Sequence, residues 1–429
     1  MLPFDGGTMN TKYDVIVVGG GTSGMMASIA AAEQGAKVVL IDKNKKYGKK
    51  LLMTGGGRCN VTNNREVDDL IRHIPGNGRF LYSTFSQFNN FDVMDFFESH
   101  GVSLKEEDHG RMFPVTNKSK TIVDTLVETA TQLGVTLLPN TTVKSLLFDA
   151  DHITGVKTEF ETIQAPCVIL TTGGKTYPST GSTGDGYRFA KSVGHTITPL
   201  YATESPLLSD EAFIHSKELQ GISLRDCLLQ VLDNQGKLVT EHKMDLLFTH
   251  FGLSGPAALR CSSFVNQLLE SQPDVTVVLD CFPERSKEEL LQSITTKLHQ
   301  SKKAAKNELA AFLPDRLLVF YLEQLGLADT PANQLTEAQI LSIVEKWKAF
   351  PIRVNKTLPI EKSFVTGGGV NTKEIQPKSM ESKKKNGLFF AGELVDVNGY
   401  TGGFNITAAF CTGHSAGVHA AQEASYFQF

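Results

Sequence analysis

Gly19, Gly21 and Gly24 stand at G-x-G-x-x-G spacing, and Asp42 follows about 20 residues on. Glycines so spaced suit the binding of a dinucleotide's phosphates. Gly19 permits a tight turn. Gly21 has no Cβ, so a pyrophosphate can approach the backbone. Gly24 lets the next helix pack close to a sheet. Thr22 and Ser23 belong to the same turn. The helix that follows offers unpaired N–H groups and a positive dipole end to anions. Asp42, with Lys43 beside it, can accept hydrogen bonds from ribose hydroxyls. A second glycine cluster, Gly55-Gly56-Gly57, runs directly into Arg58, Cys59 and Asn60. Glycine-rich backbone with one arginine suits a phosphate or the polar edge of a ring.

The elements needed to position these residues are legible around them. Residues 13–18 form an apolar, β-branched strand leading into the first glycines. An alanine-rich helix is predicted over 25–34, with Gly35 at its C-terminal end. A second strand, 38–41, ends at Asp42. Residues 54–63 are predicted as a loop. A helical stripe spans 119–133, and strands at 142–148, 153–158 and 161–163 read as an antiparallel meander. The strand 167–170 ends in Thr171-Thr172-Gly173-Gly174, and Ser182–Gly186 opens another helix. From about Tyr201 the pattern changes. A hairpin is predicted around Asp233-Asn234-Gln235-Gly236. Capping boxes at Ser286/Glu289 and Thr336/Gln339 announce helices. Lys302, Lys303 and Lys306 are expected on a solvated helix face, and Lys383–Lys385 on an exposed turn. After Lys356 glycine-terminated strands return: 387–393 ends in Gly392-Glu393, and Gly403-Phe404-Asn405 starts a final helix.

At 429 residues the chain is long enough for two or three domains. Its net charge of −4 weighs against nucleic acid and acidic membranes as general partners. No apolar run approaches the ~18 residues of a membrane-spanning helix. The first eleven residues lack the pattern of a signal peptide and read as a disordered leader, with Met9 an alternative start. The six cysteines are scattered, with no C-x-x-C pair and no metal-ligand spacing, as in a reduced, cytoplasmic protein. Gly252-Leu253-Ser254-Gly255 is not a nucleophile elbow, because the second glycine stands one place early.

Together the N-terminal unit, the meander, Thr172-Gly173-Gly174 and Gly392-Glu393 resemble the glutathione-reductase type of FAD-binding fold. Ser182-Thr183-Gly184-Asp185-Gly186 resembles the fumarate reductase and aspartate oxidase branch. Residues 54–63, Gly110–Pro114, 249–256 and 402–405 resemble a bacterial flavoprotein family labelled NAD(P)/FAD-dependent oxidoreductase, to which a bile-acid enone reductase is similar. The resemblance implies an α/β fold: a Rossmann-like FAD-binding domain with an antiparallel meander, plus inserted β-rich and helical domains. It implies non-covalent FAD. Gly19, Gly21 and Gly24 would hold the pyrophosphate and Asp42 the adenosine ribose. The Val143 backbone would meet adenine, Thr172 and Gly173 the dinucleotide, and Gly392 and Glu393 the ribityl chain. Arg58 and Asn60 would lie near the flavin, and the N–H groups of Gly403, Phe404 and Asn405 would face its N1–C2=O edge. Arg111, His250 and Tyr400 are the candidate proton donors or substrate clamps.

The expected domain boundaries are a leader at 1–10, a FAD domain at 11–198 and 356–429, a β-rich insert at 199–282 and a helical insert at 283–355. The substrate cleft is expected between FAD domain and insert. No second complete dinucleotide fingerprint is present, so NAD(P)H is expected only as a transient donor. The implied activity is reduction of an activated C=C bond in a small organic substrate. The alternatives are a flavoprotein of RNA modification or a non-catalytic redox binding protein.

Overall fold

Five short apolar strands make the central sheet. In a computed structural model, which describes residues 12–427, they open on β1 (Val15–Val18), α1 (Thr22–Glu33) and β2 (Val38–Ile41). The expected leader at 1–10 and the choice between Met1 and Met9 lie outside the described residues. The chain then forms β3 (Thr62–Asn63), β4 (Leu104–Glu107), β5 (Arg111–Pro114), α2 (Ser119–Gln132) and β6 (Thr136–Leu138). Next come β7 (Val143–Phe148), β8 (Ile153–Thr158), β9 (Thr162–Gln164), β10 (Cys167–Leu170) and α3 (Asp185–Ser192). Near the C-terminus lie β11 (Leu388–Phe390) and α4 (Phe404–Ser425).

The sheet order is β11-β10-β1-β2-β6, all parallel. Its central strands are buried on both faces, which is why β1, β2 and β10 are continuous apolar runs rather than alternating ones. Strands β7, β8 and β9 form the expected antiparallel meander. A three-stranded sheet, β3-β5-β4, carries the segment after the triple glycine.

Helix α4 packs along α1. A Cβ at Gly413 would lie 2.3 Å from the Ser23 carbonyl oxygen, and one at Gly417 2.3 Å from that of Ala27. The small residues of α4 therefore serve helix–helix approach.

The described chain divides into two compact units, each with its own apolar core. One holds the residues up to Tyr201 together with those from Phe364 onward; the other is Ala202–Ser363. The second unit contains a seven-stranded antiparallel sheet and the helices Pro256–Leu269, Lys287–His299, Asp315–Gln324 and Glu337–Lys348. The sheet includes the hairpin Ser223–Leu232 with Leu238–Phe248. Both capping boxes form: Ser286 Oγ accepts from Glu289 N–H, and Thr336 Oγ1 from Gln339 N–H.

Three local expectations change. Residues 51–57 coil into a 3₁₀ turn whose Gly55 and Gly56 are left-handed, and Thr62–Asn63 pair as β3. Lys302 and Lys303 lie outside helices, while Lys306 sits in the short helix Ala305–Glu308 and pairs with Asp329 at 2.7 Å. Lys385 is buried, because its Nζ donates to the carbonyls of Asp149 and Ala150 and lies over the Phe148 ring. Among the described residues no helix is long and apolar enough to cross a membrane.

Candidate cofactor and active site

The carboxyl ends of β1, β2, β10 and β11 fall along one edge because the strands are parallel. The glycines there divide into two kinds. A Cβ at Gly19 (φ +108°) would lie 2.6 Å from the Thr171 carbonyl oxygen, and one at Gly24 1.8 Å from that of Gly19. These two are required by packing. A Cβ at Gly21 would meet nothing within 4 Å, so that glycine borders open space at the start of α1.

Asp42 is buried and accepts from Gly20 N–H at 2.7 Å and Asn44 N–H at 2.6 Å. Burial raises its carboxyl above the usual range despite those bonds. Thr141 N–H donates to the Asp42 carbonyl, which brings the start of β7, with Val143, to the same corner. Lys43 pairs with Asp185 at 2.7 Å, joining this corner to α3.

Behind β10, Thr172 Oγ1 is buried without a hydrogen-bond partner, and Gly173 (φ +72°) has Ser182 Oγ 3.0 Å from its Cβ position. Gly392 (φ +73°) packs on Ser23: a Cβ there would lie 2.4 Å from Ser23 Oγ. Thr22 opens α1 and is partly exposed.

Glu393 is at the centre of a polar cluster. Lys50 Nζ donates to its Oε2 at 2.7 Å, and Thr366 N–H to its Oε1 at 2.8 Å. Thr176 Oγ1 donates to Oε1 at 3.3 Å. Burial works to raise the Glu393 carboxyl, but Lys50 and Thr366 hold it below the ordinary value. Lys50, Thr176 and Thr366 were not singled out from sequence. Lys50 and Thr176 reach Glu393 across 343 and 217 positions and Thr366 across 27, so the cluster assembles only when the chain folds.

A second group gathers at the start of α4. Gly403 (φ +97°) caps the helix, and a Cβ there would lie 2.6 Å from the Thr62 carbonyl and 3.1 Å from Asn60 Oδ1. That Asn60 oxygen is buried without a hydrogen-bond partner. Phe404 is buried and stacks on His73 at 4.7 Å. Asn405 accepts from Gly399 N–H at 2.7 Å and donates to the carbonyls of Gly399 and Tyr400. Its side chain therefore fixes the turn before the helix. Tyr400 lies in that turn, and its N–H donates to the His73 carbonyl.

Arg58 and Arg111 meet on one ring. Their guanidinium carbons lie 4.2 and 5.6 Å from the Phe113 centroid. Arg58 pairs with Glu107 at 2.8 Å, and Arg111 pairs with Asp108. Arg111 on β5 is also in register with Asn63 on β3, whose Nδ2 donates to the Gly402 carbonyl. His250 is an exposed residue of the Ala202–Ser363 unit, edge-on to Phe251.

These residues fit FAD. Gly21 borders open space at a helix N-terminus, and Asn60 Oδ1 and Thr172 Oγ1 are buried polar atoms that need partners. The glycines at 367–369 serve packing: Cβ atoms at Gly368 and Gly369 would lie 2.1 and 2.6 Å from the carbonyl oxygens of Pro199 and Leu394.

The chain matches the family described as HI0933-like protein Rossmann domain over residues 13–419. It is 32% identical over 406 residues to a ribosomal RNA dihydrouridine synthase of Escherichia coli, covering 93% of this chain and 96% of that protein. It is 29% identical over 411 residues to a 3-dehydro-bile acid delta(4,6)-reductase of Clostridium scindens, covering 95% and 98%. Its fold is similar to that of 3-ketosteroid delta1-dehydrogenase from Sterolibacterium denitrificans, with a TM-score of 0.52 and 14% identity over 96% of this chain and 100% of that one. The chain belongs to the HI0933-like Rossmann family of FAD-dependent oxidoreductases.

Proposed function

We propose that the protein reduces the C5–C6 double bond of a uridine in RNA. The observation that carries this reading is the nearly full-length similarity, at 32% identity, to a ribosomal RNA dihydrouridine synthase. Dihydrouridine is uridine with two hydrogens added across that bond. The bond is conjugated with the C4 carbonyl, so hydride addition at C6 sends negative charge to O4, and C5 then takes a proton.

FAD, when bound and reduced, would supply the hydride and end the step oxidised. The chain's residues would do the rest. Gly19 to Gly24 and Asp42, with Lys43, Val143, Thr172, Gly173, Gly392 and Glu393, would hold the dinucleotide. Asn60 would give its unpartnered oxygen to a donor on the flavin. The first intrahelical bond of α4 is Thr407 N–H to the Gly403 carbonyl, so the earlier N–H groups lack an acceptor within the helix. That positive end would favour the charge gained on reduction. Arg58 and Arg111 would offer cations to a carbonyl oxygen that gains charge. Tyr400 is the proposed proton donor, and NAD(P)H the proposed transient electron source.

A second reading keeps the same chemistry with a small substrate. A 3-oxo-Δ4,6 steroid is also a conjugated ketone, and the similarity to the bile-acid reductase favours it. One experiment separates the two. Dithionite-reduced, FAD-loaded protein is mixed anaerobically with ribosomal RNA fragments or with a 3-oxo-Δ4,6 steroid. Reoxidation by RNA and a two-hydrogen mass gain in the digested uridines are expected. Reoxidation by the steroid alone would replace the RNA reading with the small-substrate one.

A further inference from the structure

The turn after β2 and the loop after β10 build one surface. Asn44 Nδ2 donates to the Thr180 carbonyl at 2.9 Å, and Lys49 Nζ to that of Ser179 at 2.6 Å. A Cβ at Gly184 would lie 3.1 Å from Lys175 Cγ, which places Lys175 against the same loop. Lys45, Lys46, Lys49 and Lys175 are all exposed. The nearby acids do not offset them: Asp42 is buried on two N–H groups, and Asp185 is paired with Lys43. A chain of net charge −4 thus concentrates positive charge here.

Aromatic surface lies beside the lysines. Tyr177 holds a left-handed φ of +50°, uncommon for a bulky residue, and its ring lies 6.1 Å from that of Phe364. Phe364 is 46% exposed. Thr176, between Lys175 and Tyr177, turns inward to Lys50 and Glu393. The rim is therefore one residue away from the proposed cofactor-holding cluster. Lysines beside an exposed ring suit single-stranded nucleic acid, with phosphates on the cations and bases on the ring.

We propose that this face docks the single-stranded RNA segment flanking the target uridine. The inference rests on the RNA reading above. It is tested on FAD-loaded full-length protein with a fluorescein-labelled, uridine-rich RNA oligonucleotide, by anisotropy across a salt series. The triple variant Lys45→Gln/Lys46→Gln/Lys49→Gln should weaken binding, and the slope of log K against log salt should become shallower by about 2. Phe364→Ala should weaken binding about tenfold at every salt concentration and leave the slope unchanged. Both variants should keep wild-type FAD content and melting temperature. A triple variant with wild-type affinity and slope overturns the docking face, and so does one that loses only affinity for NADPH. If wild-type protein makes dihydrouridine while the variants bind RNA normally, the face is wrong and the reaction stands. If the variants lose RNA but wild-type protein makes no dihydrouridine, the face stands and the reaction falls.

Discussion

Gly21 and Asp42 serve the proposed dinucleotide site in different ways, and substitution should separate them. Gly21 faces open space, so a side chain there disturbs little of the protein itself. Gly21→Val should leave the fold intact and nearly abolish FAD binding, because branched carbon would fill the phosphate approach. Asp42 also braces the protein through Gly20 and Asn44. Asp42→Ala should weaken FAD binding by about 10- to 150-fold, from the ~1.5–3 kcal/mol of a charged hydrogen bond. It should also lower stability, since two N–H groups lose their acceptor. FAD content after desalting and urea unfolding of the apoproteins measure both effects. Equal FAD content in all three proteins would misplace the site. At this scale the sequence was informative about glycines, whose spacing is local. It was less so about Glu393, whose carboxylate is engaged by Lys50, Thr176 and Thr366. Such partners meet only after the chain folds.

Residues 194–196 and the segment 371–385 form an element-scale lock. Glu374 accepts from Thr196 N–H and Oγ1, and from Lys384 at 2.6 Å. His195 is buried, with Nε2 2.7 Å from Ser382 Oγ and Nδ1 3.2 Å from Glu374 in an ion-pair contact off the line of a hydrogen bond. Burial acts to raise the Glu374 carboxyl, but Lys384 and Thr196 hold it down at about 2. Burial also lowers the His195 imidazole below its usual 6.5. Both folded-state pKa values lie below the unfolded ones. Their contributions are complete above those unfolded values and are lost on acidification, from about pH 6.5 for His195 and between 4.5 and about 2 for Glu374. Glu374→Gln should flatten the acid limb of the stability curve by on the order of 2–3 kcal/mol. Urea midpoints from pH 7 to pH 3 would show it, and an unchanged acid limb would remove Glu374 from the lock. The start of α4 offers a second test. Asn405→Asp keeps the bond from Gly399 N–H but loses donation to two carbonyls and adds a negative charge. Its flavin potential should fall by about 20 mV, for ~1 kcal/mol in a two-electron couple. An equal or higher potential in an FAD-loaded variant would take this helix out of the chemistry. Most elements were legible, because the apolar runs of β1, β2 and β10 and the capping boxes at Ser286 and Thr336 are local signals. The buried Lys385 was not, since its acceptors at 149–150 come from the distant meander.

At the scale of the whole molecule, the described residues form two hydrophobic cores. One surrounds the parallel sheet and α4; the other surrounds Trp347, Tyr321 and the seven-stranded sheet of Ala202–Ser363. The proposed FAD residues all lie in the first unit. A ligand that binds only the folded form of one unit stabilises it by RT ln(1 + [L]/Kd), about 2.7 kcal/mol at a hundredfold excess over Kd. For a unit of this size that is a rise of roughly 5–10 °C. Calorimetry of the apoprotein should therefore show two transitions, with added FAD moving one and leaving the other in place. Gly21→Val should abolish the shift without moving the FAD-insensitive transition. That transition should be the one lowered by Trp347→Ala, because Trp347 is fully buried in the second core and its truncation costs about 3–5 kcal/mol. Heat should release the flavin intact, as expected for non-covalent FAD. A single transition moved as a whole by both FAD and Trp347→Ala would mean that the two cores unfold as one cooperative system. FAD would then stabilise both units together.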